Sequence, residues 1–115
     1  LGSIPFRQGS NLLMNPIAGN SDTFSKAFNS LYTNVRFLSI NPPIRSLVVG
    51  SAAFGDGKTT IALNLALAAA AAGQRVLVVD ANLRDPRLHN LIGLSTSAGL
   101  SEALIGSVSP DQVVQ

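Results

Sequence analysis

The stretch 51-SAAFGDGKTT-60 lies between an apolar run, 44-IRSLVVG-50, and an alanine-rich run, 61-IALNLALAAAAAG-73. It comes within one residue of GxxxxGK[ST], the spacing of a phosphate-binding loop, with Ala52 where the first glycine is expected. Such a loop needs glycines because its backbone N–H groups converge on an anion without side chains in the way, and because some positions want positive φ. Gly55 and Gly57 meet that need. Lys58 follows at the helix entrance, where its ammonium can reach the outer phosphates and the helix dipole adds to the field. Thr59 offers a hydroxyl to Mg²⁺. Ala52 is tolerable only where the backbone keeps an ordinary negative φ. The loop is read as nucleotide-binding through Gly55, Asp56, Gly57, Lys58, Thr59 and Thr60.

The runs on either side place this loop in a fold. The segment 44–50 is a short β-branched run closing on Gly50, as a buried strand should. Residues 59–72 are rich in the best helix former, and Gly73 stands where a left-handed C-terminal cap is expected. The segment 75-RVLVVD-80 is a second apolar strand ending in a carboxylate. Strand, loop, helix and strand make a βαβ unit with a right-handed crossover, so Asp80 is expected at the same sheet edge as the loop. The fold class is α/β: a P-loop NTPase-like parallel sheet with flanking helices, of which this chain holds the N-terminal βαβ portion.

Ahead of this unit, residues 1–20 mix Gly, Pro, Ser and Asn without a sustained period and read as a linker with one docked turn. The domain boundary falls near Ser21, and 21–115 form the N-terminal part of a P-loop domain. Helix start signals at Ser21 or Asp22 precede Phe24, Ala27, Phe28, Leu31, Val35 and Leu38 at spacings of three and four, an amphipathic helix stopped by Pro42 and Pro43. A second helix is expected from Pro86 through Leu94, and a short one within 99–106. The first residue is Leu1, and 110-PDQVVQ-115 reads as the opening of another helix, so the chain is expected to be a piece of a longer polypeptide.

Composition narrows the function classes. With 46% hydrophobic and only 12% charged residues, against roughly 25% charged in ordinary soluble domains, the elements are largely buried or belong to something larger. The absence of cysteine excludes a disulfide framework and cysteine-ligated metal sites. The apolar run 61–72 is too short to span a bilayer, and the cytoplasm is the default compartment. Residues 1–48 carry Arg7, Lys26, Arg36 and Arg45 against Asp22 alone, which is compatible with a membrane-proximal position. Four spread cations without interleaved aromatics do not make a nucleic-acid surface.

The combination of LGSIP at 1–5, LYTNVRF at 31–37, IRSLVVGSAAFGDGKTTIALNLA at 44–66 and VLVVDANLRDPRLHNLIGL at 76–94 resembles the bacterial tyrosine kinases of exopolysaccharide export, the BY-kinases. The likeness covers nearly the whole chain. It implies ATP and Mg²⁺ as cofactors, tyrosine autophosphorylation, and control of polysaccharide chain length and export. It also implies a membrane-embedded co-polymerase segment in the same or a partner chain, and a place at the cytoplasmic face of the inner membrane. Gly55, Gly57, Lys58 and Thr59 match the family's Walker A segment, although Phe54 stands where its proline is usual. Asp80 and Arg84 match the Walker A′ pattern DxDxR. By that likeness Lys58 and Asp80 are catalytic and Thr59 and Asp80 serve the metal, with Asp80 orienting the metal water or accepting the tyrosine proton.

Two departures qualify the resemblance. Asn82 takes the place of the second acid, and an amide cannot supply its negative charge. The family's oligomerisation signature ExxRxxR is here Lys26, Asn29 and Tyr32, so homo-oligomer formation through that motif does not carry over. Both favour an alternative, a catalytically impaired scaffold of a polysaccharide co-polymerase. A further alternative is a partitioning or septum-positioning ATPase, against which Ala53 speaks, because that group carries a signature lysine there. For Asp80 a plainer use stays open: capping the helix that follows.

Overall fold

The computed structural model describes residues 1–7, 12–14, 22–38, 41–95 and 97–115. Two compact units divide the chain, Leu1–Leu77 and Val78–Gln115.

The first unit is built on two helices, α1 (Thr23–Leu38) and α2 (Lys58–Ala71), packed against each other. Of the two start residues expected for α1, Ser21 lies outside the described residues and Asp22 caps the helix. Its carboxylate accepts the Ser25 N–H at 2.6 Å and the Ser25 hydroxyl at 3.3 Å. The Ser25 N–H holds the Asp22 carboxyl below its ordinary value of 3.8. Phe24 and Phe28, one turn apart, meet edge to face with ring centroids 5.0 Å apart. They join Met14 and Ala68 in the core, with Ile4, Leu31, Tyr32, Ile61 and Leu67 packed around them. Phe28 is fully buried, a contribution of about 3 kcal/mol. Tyr32 is therefore a packing residue.

Residues 1–4 and 12–14 belong to this packing. Ile4 reaches the core, and the Leu1 carbonyl accepts the Asn34 amide. The docked turn expected in the leading segment is Leu12–Met14, and a polar residue of α2 fastens it. Asn64 is fully buried, accepts the Met14 N–H on Oδ1, and donates Nδ2–H to the Leu12 and Thr60 carbonyls at 2.8 Å each. Both of its N–H groups and its carbonyl oxygen have a partner in this apolar interior, which is the condition for a buried amide to be tolerated.

α2 ends as its sequence predicts. Gly73 has φ 83°, its N–H donates to the Ala70 carbonyl, and Gln74 N–H reaches back to the Ala69 carbonyl. This pair of bonds is a Schellman cap, which needs a left-handed residue at the position Gly73 fills.

The second unit carries three short helices, α3 (Leu88–Ile92), α4 (Leu100–Leu104) and α5 (Pro110–Val113). α3 is shorter than the expected span from Pro86 to Leu94. Its first turn is fixed by a carboxylate upstream that takes the Arg87 and Leu88 N–H groups, and Gly93 at φ 71° stops it. α4 starts where the Gly99 N–H donates to the Glu102 carboxylate at 2.8 Å, a bond that holds the Glu102 carboxyl below its ordinary value. α5 opens at Pro110, the first-turn position proline prefers.

The two expected strands, 44–50 and 75–80, are not formed as a sheet. Among the described residues neither run takes part in a strand ladder. Val48 is 93% exposed and Leu77 67%. A buried parallel strand requires neighbours in hydrogen-bonding register and helices over both faces, and these runs have no ladder partner here.

Candidate functional site

The glycine loop belongs to the first unit. Gly55 and Gly57 take positive φ of 85° and 82°, and no non-glycine described residue does. Ala52 therefore meets the condition its sequence sets: it sits in ordinary backbone conformation, where a methyl group costs nothing. Gly57 is the N-cap of α2, and its carbonyl accepts the Ile61 N–H at 2.9 Å. No protein atom lies within 4 Å of where a Cβ would stand on Gly55 or Gly57. The space over the loop is open to a ligand, and the chain reversal is made by the two residues best able to make it.

Three side chains organise the loop from within. Asp56 accepts the Ala53 N–H at 2.9 Å. Lys58 Nζ donates to the Ser51 hydroxyl at 2.8 Å and to the Ala53 carbonyl at 3.1 Å. The Ser51 hydroxyl itself donates to that carbonyl at 2.9 Å. Ser51, Asp56 and Lys58 thus hold both polar groups of one peptide residue, Ala53. Thr59 and Thr60 stand in the first turn of α2, half-buried. Gly55, Gly57, Lys58 and Thr59 supply the donor chemistry a nucleotide phosphate and its Mg²⁺ require: open backbone amides, an ammonium and a hydroxyl.

Asp80 lies in the second unit, at the head of a tight turn. Its Oδ1 accepts the Asn82 N–H at 3.1 Å, and its Oδ2 accepts the Arg87 and Leu88 N–H groups at 2.9 Å each. The capping use left open by the sequence is real: this carboxylate starts α3. Asn82 donates Nδ2–H to the Asp85 carbonyl at 2.9 Å, and Arg87 pairs with Asp85 through Nε and Nη2, each at 2.9 Å. Arg84 is exposed on the same turn. Among the described residues no group of three or more His, Cys, Asp or Glu side chains could hold a metal by itself. A Mg²⁺ shared with phosphates does not need one.

Sequence reasoning left two contributors unassigned. Ser51 was legible only as a residue beside the loop; its hold on Lys58 depends on the fold-back of the chain at Gly55. Asn82 was noted for the charge it lacks, whereas its structural part is the proton it donates.

Comparison with known proteins agrees with this chemistry. Residues 47–102 match the CobQ/CobB/MinD/ParA nucleotide binding domain, which supports an α/β P-loop fold for this segment. The tyrosine-protein kinase YwqD of Bacillus subtilis (strain 168) is 37% identical over 91 residues, covering 79% of this chain and 38% of that protein. The tyrosine-protein kinase etk of Escherichia coli (strain K12) is 34% identical over 95 residues, 83% of this chain and 13% of its own length. The succinoglycan biosynthesis transport protein ExoP of Rhizobium meliloti (strain 1021) is 31% identical over 107 residues, 93% of this chain and again 13% of its own. The chain thus spans well under half the length of these relatives. No solved structure matches it.

Proposed function

We propose, from the premise that this chain is a homologue of the bacterial tyrosine-protein kinases with a CobQ/CobB/MinD/ParA-type nucleotide-binding segment, that it binds ATP with Mg²⁺ for tyrosine autophosphorylation in polysaccharide export. One observation carries the reading: Gly55 and Gly57 in left-handed conformation lead directly into Lys58 at the first turn of α2, beneath open space. The reading places 44–50 and 75–80 as strands of a parallel sheet, the arrangement that would cover their apolar side chains. Residues 21–115 are then the N-terminal part of the P-loop domain, with 1–20 leading into it.

The roles follow from side-chain chemistry. The amides of Gly55, Asp56, Gly57, Lys58, Thr59 and Thr60 would converge on phosphate oxygens, and the Lys58 ammonium would leave Ser51 to meet the outer phosphates. The Thr59 hydroxyl and the Asp80 carboxylate would hold Mg²⁺ or its water. The metal would supply charge neutralisation at the transferring phosphoryl group. Lys58 and Asp80 are the residues assigned to catalysis.

In its family setting the segment would work at the cytoplasmic face of the inner membrane, with a membrane-embedded co-polymerase segment in the same or a partner chain. No helix among the described residues is long and apolar enough to cross a membrane. A second reading, a nucleotide-binding scaffold without kinase activity, is favoured by Asn82 and by the polar α1 surface bearing Lys26 and Asn29. One experiment separates them: phosphotyrosine formation and thermal stabilisation of the full-length protein with MgATP. Stabilisation with phosphorylation supports the kinase, stabilisation alone supports the scaffold, and neither overturns nucleotide binding.

A further inference from the structure

The turn from Asp80 to Leu88 must bring backbone groups seven and eight residues downstream onto one carboxylate. Within this turn Asn82 bridges to Asp85. Its Nδ2–H donates across the turn to the Asp85 carbonyl at 2.9 Å, its Oδ1 receives the Asp85 N–H in a longer contact of 3.4 Å, and its own N–H sits on Asp80 Oδ1. Asp85, fixed between these, in turn anchors the Arg87 guanidinium. The residue whose N–H Asp80 needs is thus tied back through Asp85 to Asn82.

We infer that Asn82 is a positioning residue for Asp80: its amide staples the 82–85 turn, and the staple presents the Arg87 and Leu88 N–H groups that aim the Asp80 carboxylate. This rests on the reading in which Asp80 serves the nucleotide-bound metal. A carboxylate has about four acceptor positions, and three are taken here by backbone donors. Asp80 therefore offers one remaining direction, suited to a single metal ion or metal-bound water and unsuited to a bidentate grip.

An aspartate at 82 would add the charge that the family pattern carries. It would also remove the Nδ2–H donor that faces the Asp85 carbonyl and set two oxygens against each other across the turn, beside two existing carboxylates. The chemistry of this turn thus calls for an amide, and adding the acid loosens the residue it is meant to assist.

The test uses the full-length protein as wild type, Asn82→Ala and Asn82→Asp. Amide hydrogen exchange without nucleotide reads Arg87 and Leu88, with Asn64 on α2 as an internal control. The expected result is at least tenfold faster exchange at Arg87 and Leu88 in both variants and no change at Asn64. In a second arm, the Mg²⁺ concentration giving half-maximal stabilisation by ADP should rise several-fold in both. Unchanged exchange in Asn82→Ala overturns the staple, and a lower Mg²⁺ requirement in Asn82→Asp overturns the need for an amide. If wild type shows no stabilisation by nucleotide, the nucleotide reading fails and the exchange arm alone decides the staple.

Discussion

The Lys58 ammonium lies 2.8 Å from the Ser51 hydroxyl and 3.1 Å from the Ala53 carbonyl, folded back across the loop that precedes it. A phosphate would have to draw the lysine off these partners. Charge-assisted hydrogen bonds at exposed positions are modest, so Ser51→Ala should tighten MgADP binding by about two- to fivefold, equivalent to roughly 0.4–1 kcal/mol. Lys58→Ala should abolish binding. Titration calorimetry on the full-length protein reads both; weaker binding in Ser51→Ala would instead make the hydroxyl a ligand contact.

Gly57 offers a sharper separation of fold from function. A methyl group there meets no protein atom, so Gly57→Ala should lose only the cost of a left-handed alanine, about 1–2 kcal/mol. The same methyl stands in the space over the loop. The variant is expected to stay folded by circular dichroism while losing the thermal stabilisation of about 2.7 kcal/mol that a ligand at 100 times its dissociation constant confers. A retained ligand shift would show that the nucleotide does not sit there.

Asn64→Leu should destabilise the first unit by about 2–4 kcal/mol, because the Leu12 carbonyl and the Met14 N–H would be left without partners in an apolar interior. Urea unfolding should show a lower midpoint at constant slope. Limited proteolysis should cut near residues 12–14 sooner than in wild type. A loss below about 0.5 kcal/mol would mean that the leading segment is held by its apolar contacts alone.

Two capping carboxylates set a pH dependence. Asp22 and Glu102 both have folded pKa values depressed by backbone N–H donors, from Ser25 and Gly99 respectively. Each therefore contributes stability that is fully present above its unfolded value, near 3.8 for Asp22 and 4.5 for Glu102, and is lost as pH falls through the lower folded value. The melting-temperature gap between wild type and Asp22→Ala should be constant from pH 7 to about 5 and close below about pH 4. A gap that widens on acidification would contradict the assignment.

Much of the first unit was legible because its signals are local. The spacing of Phe24, Phe28 and Leu31 gave α1, the alanine run with Gly73 gave α2 and its cap, and the order of Gly55, Gly57 and Lys58 gave the loop. Asn64 escaped functional notice because two of its three partners lie some 50 residues upstream, in a stretch with no periodicity. An isolated amide in the middle of an apolar helix is nevertheless a signal, since it must find polar partners wherever it is buried. The bond from Asn82 to the Asp85 carbonyl was hidden for a similar reason: that carbonyl is placed by a turn, and turns leave little trace in composition.

The exposed apolar run at 44–48 has a consequence for how the protein is made. At ordinary elongation rates of about 5–20 residues per second, Leu77 leaves the ribosome roughly 1.5–6 s after Val48. If 44–50 pairs with 75–80 in the proposed sheet, then through that interval the earlier run, with Arg45 as its one charge, is a nascent edge with nothing to pair with, the kind of segment that joins another chain when it meets one. Yield of soluble protein should therefore depend on synthesis speed and on chaperones that hold extended apolar segments, well before any question of its equilibrium stability arises.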